Sequence, residues 1–186
     1  MKKLAGLLCL AVLLSGCGSK PGELDKGMEL RSKLLSAERV TFDAEIIADY
    51  GDKVHTFSMT CQSDSLGNLE FTVTQPETIA GISGRVGQKG GALIFDETAL
   101  YFDLMADGTL SPVSAPWILL KALCGGYLTS ACTEDGTIRL TVDDSYESDA
   151  LTLDIWLNEG DFPARAEILH AGRKILGLKI TNFVLS

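Results

Sequence analysis

The sequence predicts a mainly β domain: an antiparallel, strongly curved sheet that carries two short helices. Three observations predict it. Nearly every long segment after residue 39 alternates apolar and polar residues with period two, and most connections between segments are of hairpin length. The helix that a parallel sheet needs at each crossover is missing.

The chain begins Met1-Lys2-Lys3, runs apolar from Leu4 to Leu14 and continues Ser15-Gly16-Cys17. A charged start, a short apolar core and a small-residue cleavage site form an export signal. The apolar run falls well short of the ~18–20 residues that span a bilayer. Leu14-Ser15-Gly16-Cys17 resembles the lipobox of bacterial lipoprotein precursors. That resemblance implies signal-peptidase recognition of Leu14, Ser15 and Gly16, diacylglyceryl transfer to the Cys17 sulfur, and cleavage before Cys17. An ordinary signal peptide that happens to end near a cysteine is the alternative, but charge, core length and all four lipobox positions agree with the first. The expected organisation is therefore a signal peptide over residues 1–16, a lipidated tether over 17–22 and one domain over 23–186. The protein is expected on the extracytoplasmic side of the cell membrane, held there by its acyl chains.

Composition narrows the partners. Losing the sixteen signal residues from the 186 leaves 170, enough for one domain. The signal takes Lys2 and Lys3 with it, so the net charge moves from −9 to −11. Such acidity argues against nucleic acid and against non-specific attraction to anionic headgroups, and no basic cluster in the sequence reverses it. Cys61, Cys124 and Cys132 remain after Cys9 leaves and Cys17 is acylated. Cys61 falls on an apolar strand face and reads as a buried thiol. Cys124 and Cys132 flank a short Gly-Gly turn, where a disulfide would close a small loop; spacing alone does not fix the pairing.

Along the domain, Leu24, Met28, Leu30, Leu34 and Leu35 fall near helical spacing, so Glu23–Ala37 is an amphipathic helix. Val40 to Tyr50 then alternates, Gly51-Asp52 marks a hairpin, and the return strand places His55, Phe57, Met59 and Cys61 on one face. After a polar loop, Gln62 to Gly67, the next strand presents Leu69, Phe71 and Val73 and stops at Gln75-Pro76. Shorter strands follow at Ile82–Val86, Ala92–Phe95 and Leu100–Met105. Pro116 opens a very apolar helix from Trp117 that Gly125-Gly126 closes. Strands resume at 137–143 and 151–157, and a final hairpin pairs 164–170 with 174–185. The total is nine or ten strands.

Two stretches carry a family resemblance. Val73-Thr-Gln-Pro76-Glu-Thr-Ile-Ala-Gly81-Ile-Ser-Gly84 followed by Ala92-Leu-Ile-Phe-Asp96 is one; Phe162-Pro163-Ala-Arg165-Ala-Glu167-Ile168, Gly172 and Ile180-Thr-Asn182-Phe183 is the other. Both, with the strand order, resemble LolA/LolB-type lipoprotein carriers, across essentially all of residues 23–186. The resemblance implies a half-open β-barrel wrapped around helices that act as a lid. It also implies a concave apolar cavity that accepts lipid acyl chains or the acylated terminus of another lipoprotein. Members of the LolA type are soluble shuttles, whereas Cys17 would tether this chain, and the inward arginine that holds the LolA lid has no evident counterpart.

His55 and His170 lie within strand patterns without metal-ligand neighbours, and Gly81-Ile-Ser83-Gly84 lacks the nucleophile-elbow spacing. Asp103 to Ser114 fails as a calcium loop at Met105 and Ser114. No nucleotide or dinucleotide fingerprint occurs. The expectation is a protein without metal, cofactor or enzymatic activity. Two classes of function fit. The first is a carrier or receptor for a hydrophobic ligand, with Phe42 and Ile46, Phe57 and Met59, and Leu69 and Phe71 supplied by three strands and Trp117 and Leu120 by the helix. The second is an envelope protein that docks a protein partner through the edges of the same sheet. A filled core and a lined pocket have the same periodicity, so alternation does not separate them.

Overall fold

The computed structural model describes residues 22–49, 51, 53–95, 98–103, 105–106 and 109–186. The signal, Cys17 and the hairpin residue Asp52 lie outside the described residues. Helix α1 spans Glu23–Ser36. Six strands follow in a meander: β1 Arg39–Asp49, β2 Val54–Asp64, β3 Leu69–Gln75, β4 Ser83–Gly87, β5 Gly90–Phe95 and β6 Thr98–Phe102. A two-residue pair, β7 Met105–Ala106 and β8 Thr109–Leu110, and a 3₁₀ turn at Pro112–Ser114 lead into α2, Ala115–Gly125. A second meander completes the chain: β9 Tyr127–Glu134, β10 Thr137–Asp143, β11 Leu151–Leu157, β12 Pro163–His170 and β13 Arg173–Leu185.

The two meanders form one antiparallel eleven-stranded sheet in the order β6-β5-β4-β3-β2-β1-β13-β12-β11-β10-β9. They join where β1 pairs with β13, with Ala44 opposite Ile180 and Ile46 opposite Leu178. β6 and β9 form its two edges, and the sheet is not closed. The chain crosses from one edge to the other through α2. This is the open barrel around two helices that the sequence resemblance implied.

One strand was not anticipated. Residues 127–134 form β9 and are not part of a loop between Cys124 and Cys132. Alternation is hard to see there because the register slips between Thr141 and Val142 of the partner strand. Only Ala131 on β9 is fully buried. The strand also separates the two cysteines. Cys132 lies opposite Arg139, which in turn lies opposite Trp156, on the outer face; the neighbouring Ala131, Leu140 and Ile155 form the buried inner row. Cys124 belongs to α2 on the concave side, and Cys61, Cys124 and Cys132 are all free thiols. A sheet thus stands between the two sulfurs that a small-loop disulfide would need to bring together.

The concave face supplies the core. Ile46, Leu69, Leu153, Ile155 and Ile168 are fully buried, each adding about 1.5–3 kcal/mol of burial relative to exposure. Packing in the β3–β6 region relies on missing side chains at two glycines. Phe71 lies opposite Gly84, and Phe102 opposite Gly91. A Cβ on Gly84 would meet the Phe71 ring at 2.6 Å, and one on Gly91 would meet the Phe102 ring at 2.2 Å. Each ring covers its glycine, taking the space a side chain would need.

Candidate functional site

α1 lies on β9 and β10 through a close approach at Gly27, where a Cβ would stand 2.9 Å from the Leu128 side chain. Leu30 and Leu34 face the core, while Met28 and Leu35 of the expected apolar stripe are turned to solvent. Two polar ties fix the start of the helix: Lys26 Nζ donates to Asp161 Oδ1 at 2.7 Å, and Thr133 Oγ1 donates to Glu23 Oε1 at 2.6 Å.

α2 is buried along almost its whole length, with Lys121 its one exposed residue between Ala115 and Leu123. Pro116 sits in its first turn, where a missing N–H costs nothing. Its last turn contains no basic residue of its own. Arg31 of α1 supplies that charge: Nε donates to the Leu123 carbonyl at 2.7 Å and Nη2 to the Gly126 carbonyl at 2.7 Å. A guanidinium at the negative end of a helix satisfies the free carbonyls and joins the two helices. In the sequence Arg31 is one charge among several on α1. Its partners lie more than ninety residues away, and no local signal marks it.

The other end of α2 is tied to the β2–β3 turn. Trp117 Nε1 donates to the Gly67 carbonyl at 2.8 Å. Asp64 shapes that turn: Oδ1 accepts from the Leu66 and Asn68 backbone N–H groups at 3.0 and 2.9 Å, and Oδ2 accepts from Asn68 Nδ2 at 3.0 Å. The side-chain bond from Asn68 holds the Asp64 carboxyl below the usual aspartate range; desolvation opposes it, and the backbone bonds from Asn68 and Leu66 act with it. At the tip of the turn Leu66 is 85% exposed.

Between α1, α2, the start of β1 and this turn lies a cavity of about 500 Å³. Leu34, Leu35, Val40, Leu66, Trp117 and Leu120 give it an apolar wall. Leu35 (65% exposed) and Leu66 stand at its mouth. The charged side chains on its lining are Arg39, Lys121 and Asp64. Cys124 also lines it; burial pushes its thiol above the usual range, with Arg31 acting in the opposite sense. The arrangement offers a shaped apolar recess with a polar rim, the form of a binding site for a small apolar ligand.

The predicted site residues divide into two groups. Trp117 and Leu120 line the cavity. Ile46, Phe57 and Leu69 are buried in the core and line none of these cavities, while Met59, also buried, borders only a depression among Asp43, Glu45, Thr60 and Lys179. Phe42 stacks on Phe183 with ring centroids 5.4 Å apart. Phe42 and Phe71 border a separate, more open depression whose other walls are largely polar, among them Thr41, Asp43, Gln62 and Arg85. The recess is thus displaced from the middle of the concave face to its rim. Leu34, Leu35, Val40 and Leu66 were missed as lining residues because they come from a helix end, a strand start and a turn, which share no period.

No family model and no curated protein matches the chain. Solved structures are similar in shape. A domain from Vibrio parahaemolyticus named for outer membrane lipoprotein sorting is 10% identical, with 88% of this chain and 92% of that one covered and a TM-score of 0.49. A LolA superfamily protein from Nitrosomonas europaea is 11% identical, with 86% and 93% covered and a TM-score of 0.45. LprF from Mycobacterium bovis is 9% identical, with 89% and 94% covered and a TM-score of 0.46. The likeness is one of fold.

Proposed function

We propose that the protein is an exported lipoprotein, anchored to the cell membrane through acyl chains on Cys17, that binds the apolar chain of a lipid or lipoprotein in the cavity between α1, α2 and the β2–β3 turn. The observation that carries the binding role is the 500 Å³ recess itself. A recess of that size with a largely apolar wall and a few polar groups at its rim has the make-up of a site for an apolar guest. The role is binding without catalysis, for transport or sensing at the envelope. The export signal and lipobox support the anchor.

Two measurements test the proposal. Every residue of the buried core lies between Leu30 and Ile180, so a form lacking residues 1–17 keeps the whole core. That form should displace a fluorescent fatty-acid analogue at micromolar concentration and show an acyl ligand in native mass spectrometry. Leu120→Glu should abolish binding while circular dichroism shows a folded sheet. A folded protein that carries and binds no lipid would remove the carrier role. For the anchor, the mature chain should begin at Cys17 with added acyl mass, and Cys17→Ala should block processing; a different N-terminus or no acyl mass would remove it.

A second reading has its own observation. The edge strand β6 presents Leu100 and Tyr101 to solvent beside Ile94 and Phe95 of β5, a surface to which a protein partner could add a strand. It becomes the better reading if the cavity proves empty under all conditions.

A further inference from the structure

We infer that the ligand of this cavity is a single-chain amphiphile with an anionic headgroup, met at the mouth by Arg39 and Lys121. The inference rests on the lipid-binding role proposed above and adds the chemical class of the ligand.

Volume sets the number of chains. At about 30 Å³ per non-hydrogen atom, the share of a water molecule in the liquid, a cavity of about 500 Å³ holds on the order of 17 atoms. That matches one acyl chain of about a dozen carbons with its headgroup.

Charge sets the headgroup. The whole chain has a net charge of −9, and its sequence shows no basic cluster. Folding makes an exception at the cavity. Two cations line it, Arg39 from the start of β1 and Lys121 from α2, against one carboxylate, Asp64. The Asp64 oxygens already accept three N–H groups from the turn. Lys121 lies over the Trp117 ring, 5.5 Å from its centroid, and reaches Asp144 only at 3.8 Å. The Arg39 side chain makes no hydrogen bond or ion pair among the described residues. Beside them, Arg31 adds a third positive charge at the end of α2, next to Cys124. An apolar recess with cations at its opening fits a molecule with an apolar tail and an anionic head, carboxylate or phosphate alike.

The test compares ligands that share a tail, using the form lacking residues 1–17. Dodecanoate and dodecyl phosphate should each bind about tenfold tighter than dodecanol, as expected for two partly solvated charge contacts. The preference should shrink as salt is raised. Inorganic phosphate alone should not compete, which separates an amphiphile from a free anion. In the double variant Arg39→Gln/Lys121→Gln the ratio of acid to alcohol affinity should fall to near one, while Lys174→Gln, in the Glu167 ion cluster, should keep it. Equal affinity for dodecanoate and dodecanol, or a ratio untouched by the double variant, overturns the inference and leaves the lipid-binding role standing. Binding by none of the three overturns both. Competition by inorganic phosphate, with no tail dependence, replaces the amphiphile with a simple anion.

Discussion

The two ends of the sheet are built from similar alternating strands and have opposite fates. At the β9 end, α1 lies against β9 and β10, held by Gly27 and by the Glu23–Thr133 and Lys26–Asp161 contacts. Three strands in, β11 alternates between buried and half-buried along its whole length. At the β6 end, β5 and β6 contain no fully buried residue. The difference lies in the cover. The helices pack chiefly on β9, β10 and β13, away from β5 and β6, whereas the inner faces of β1–β3 are buried as part of the same core. The candidate ligand cavity sits where that cover stops.

Substitutions can break this comparison, and the largest effect is expected in the covered half. Ile155→Ala should lower stability by about 2–4 kcal/mol in urea unfolding, because Ile155 is fully buried. A loss below about 1 kcal/mol would mean that the covered half is loosely packed. Gly84→Val tests whether the β3–β6 arm is held by the glycine–ring contact. It should cost about 1–3 kcal/mol, since Phe71 and the Ala92 carbonyl occupy the space a Cβ needs.

Arg31→Met tests the joint between the helices and should cost about 1–2 kcal/mol in the same assay. Hydrogen exchange should rise first in the last turn of α2, where Leu123 and Gly126 lose their donor. A smaller effect concerns pH. The folded Asp64 carboxyl is depressed, so its contribution is complete above the ordinary aspartate value of about 3.9 and is lost as pH falls through the lower folded value. Protonation should loosen the β2–β3 turn and shift Trp117 emission in a Trp156→Phe background. Asp64→Ala should remove that acid transition. The smallest effect is expected on the bare edge, where Leu100→Ala should change stability by no more than about 0.5 kcal/mol.

Most of the sheet was legible in the sequence because period two survives wherever one face is covered, as in Phe42, Ala44, Ile46 and Ala48 of β1. β9 escaped because a register slip breaks its alternation. The cavity was only half legible. Trp117 and Leu120 were accessible from the apolar helix, but the strand residues chosen with them share the inner face with the core, and periodicity cannot say which part of an inner face a helix fills. Leu66 sat in a loop read as polar, and its place at the cavity mouth depends on the Asp64 turn and on the Trp117–Gly67 hydrogen bond. Arg39 and Lys121 lie far apart in sequence and come to the lining of one cavity only in the folded chain.

Trp117 provides the most direct test of the central claim, that an acyl chain enters the recess between the helices and the β2–β3 turn. The chain has two tryptophans, and Trp156→Phe leaves Trp117, on the cavity wall, as the sole emitter. Titrating that variant with a tail-brominated dodecanoate, a quencher that acts only at contact, should give saturable quenching at the concentrations where dialysis shows binding. Dialysis that shows binding without quenching would place the chain elsewhere, and no binding at all would contradict the account outright.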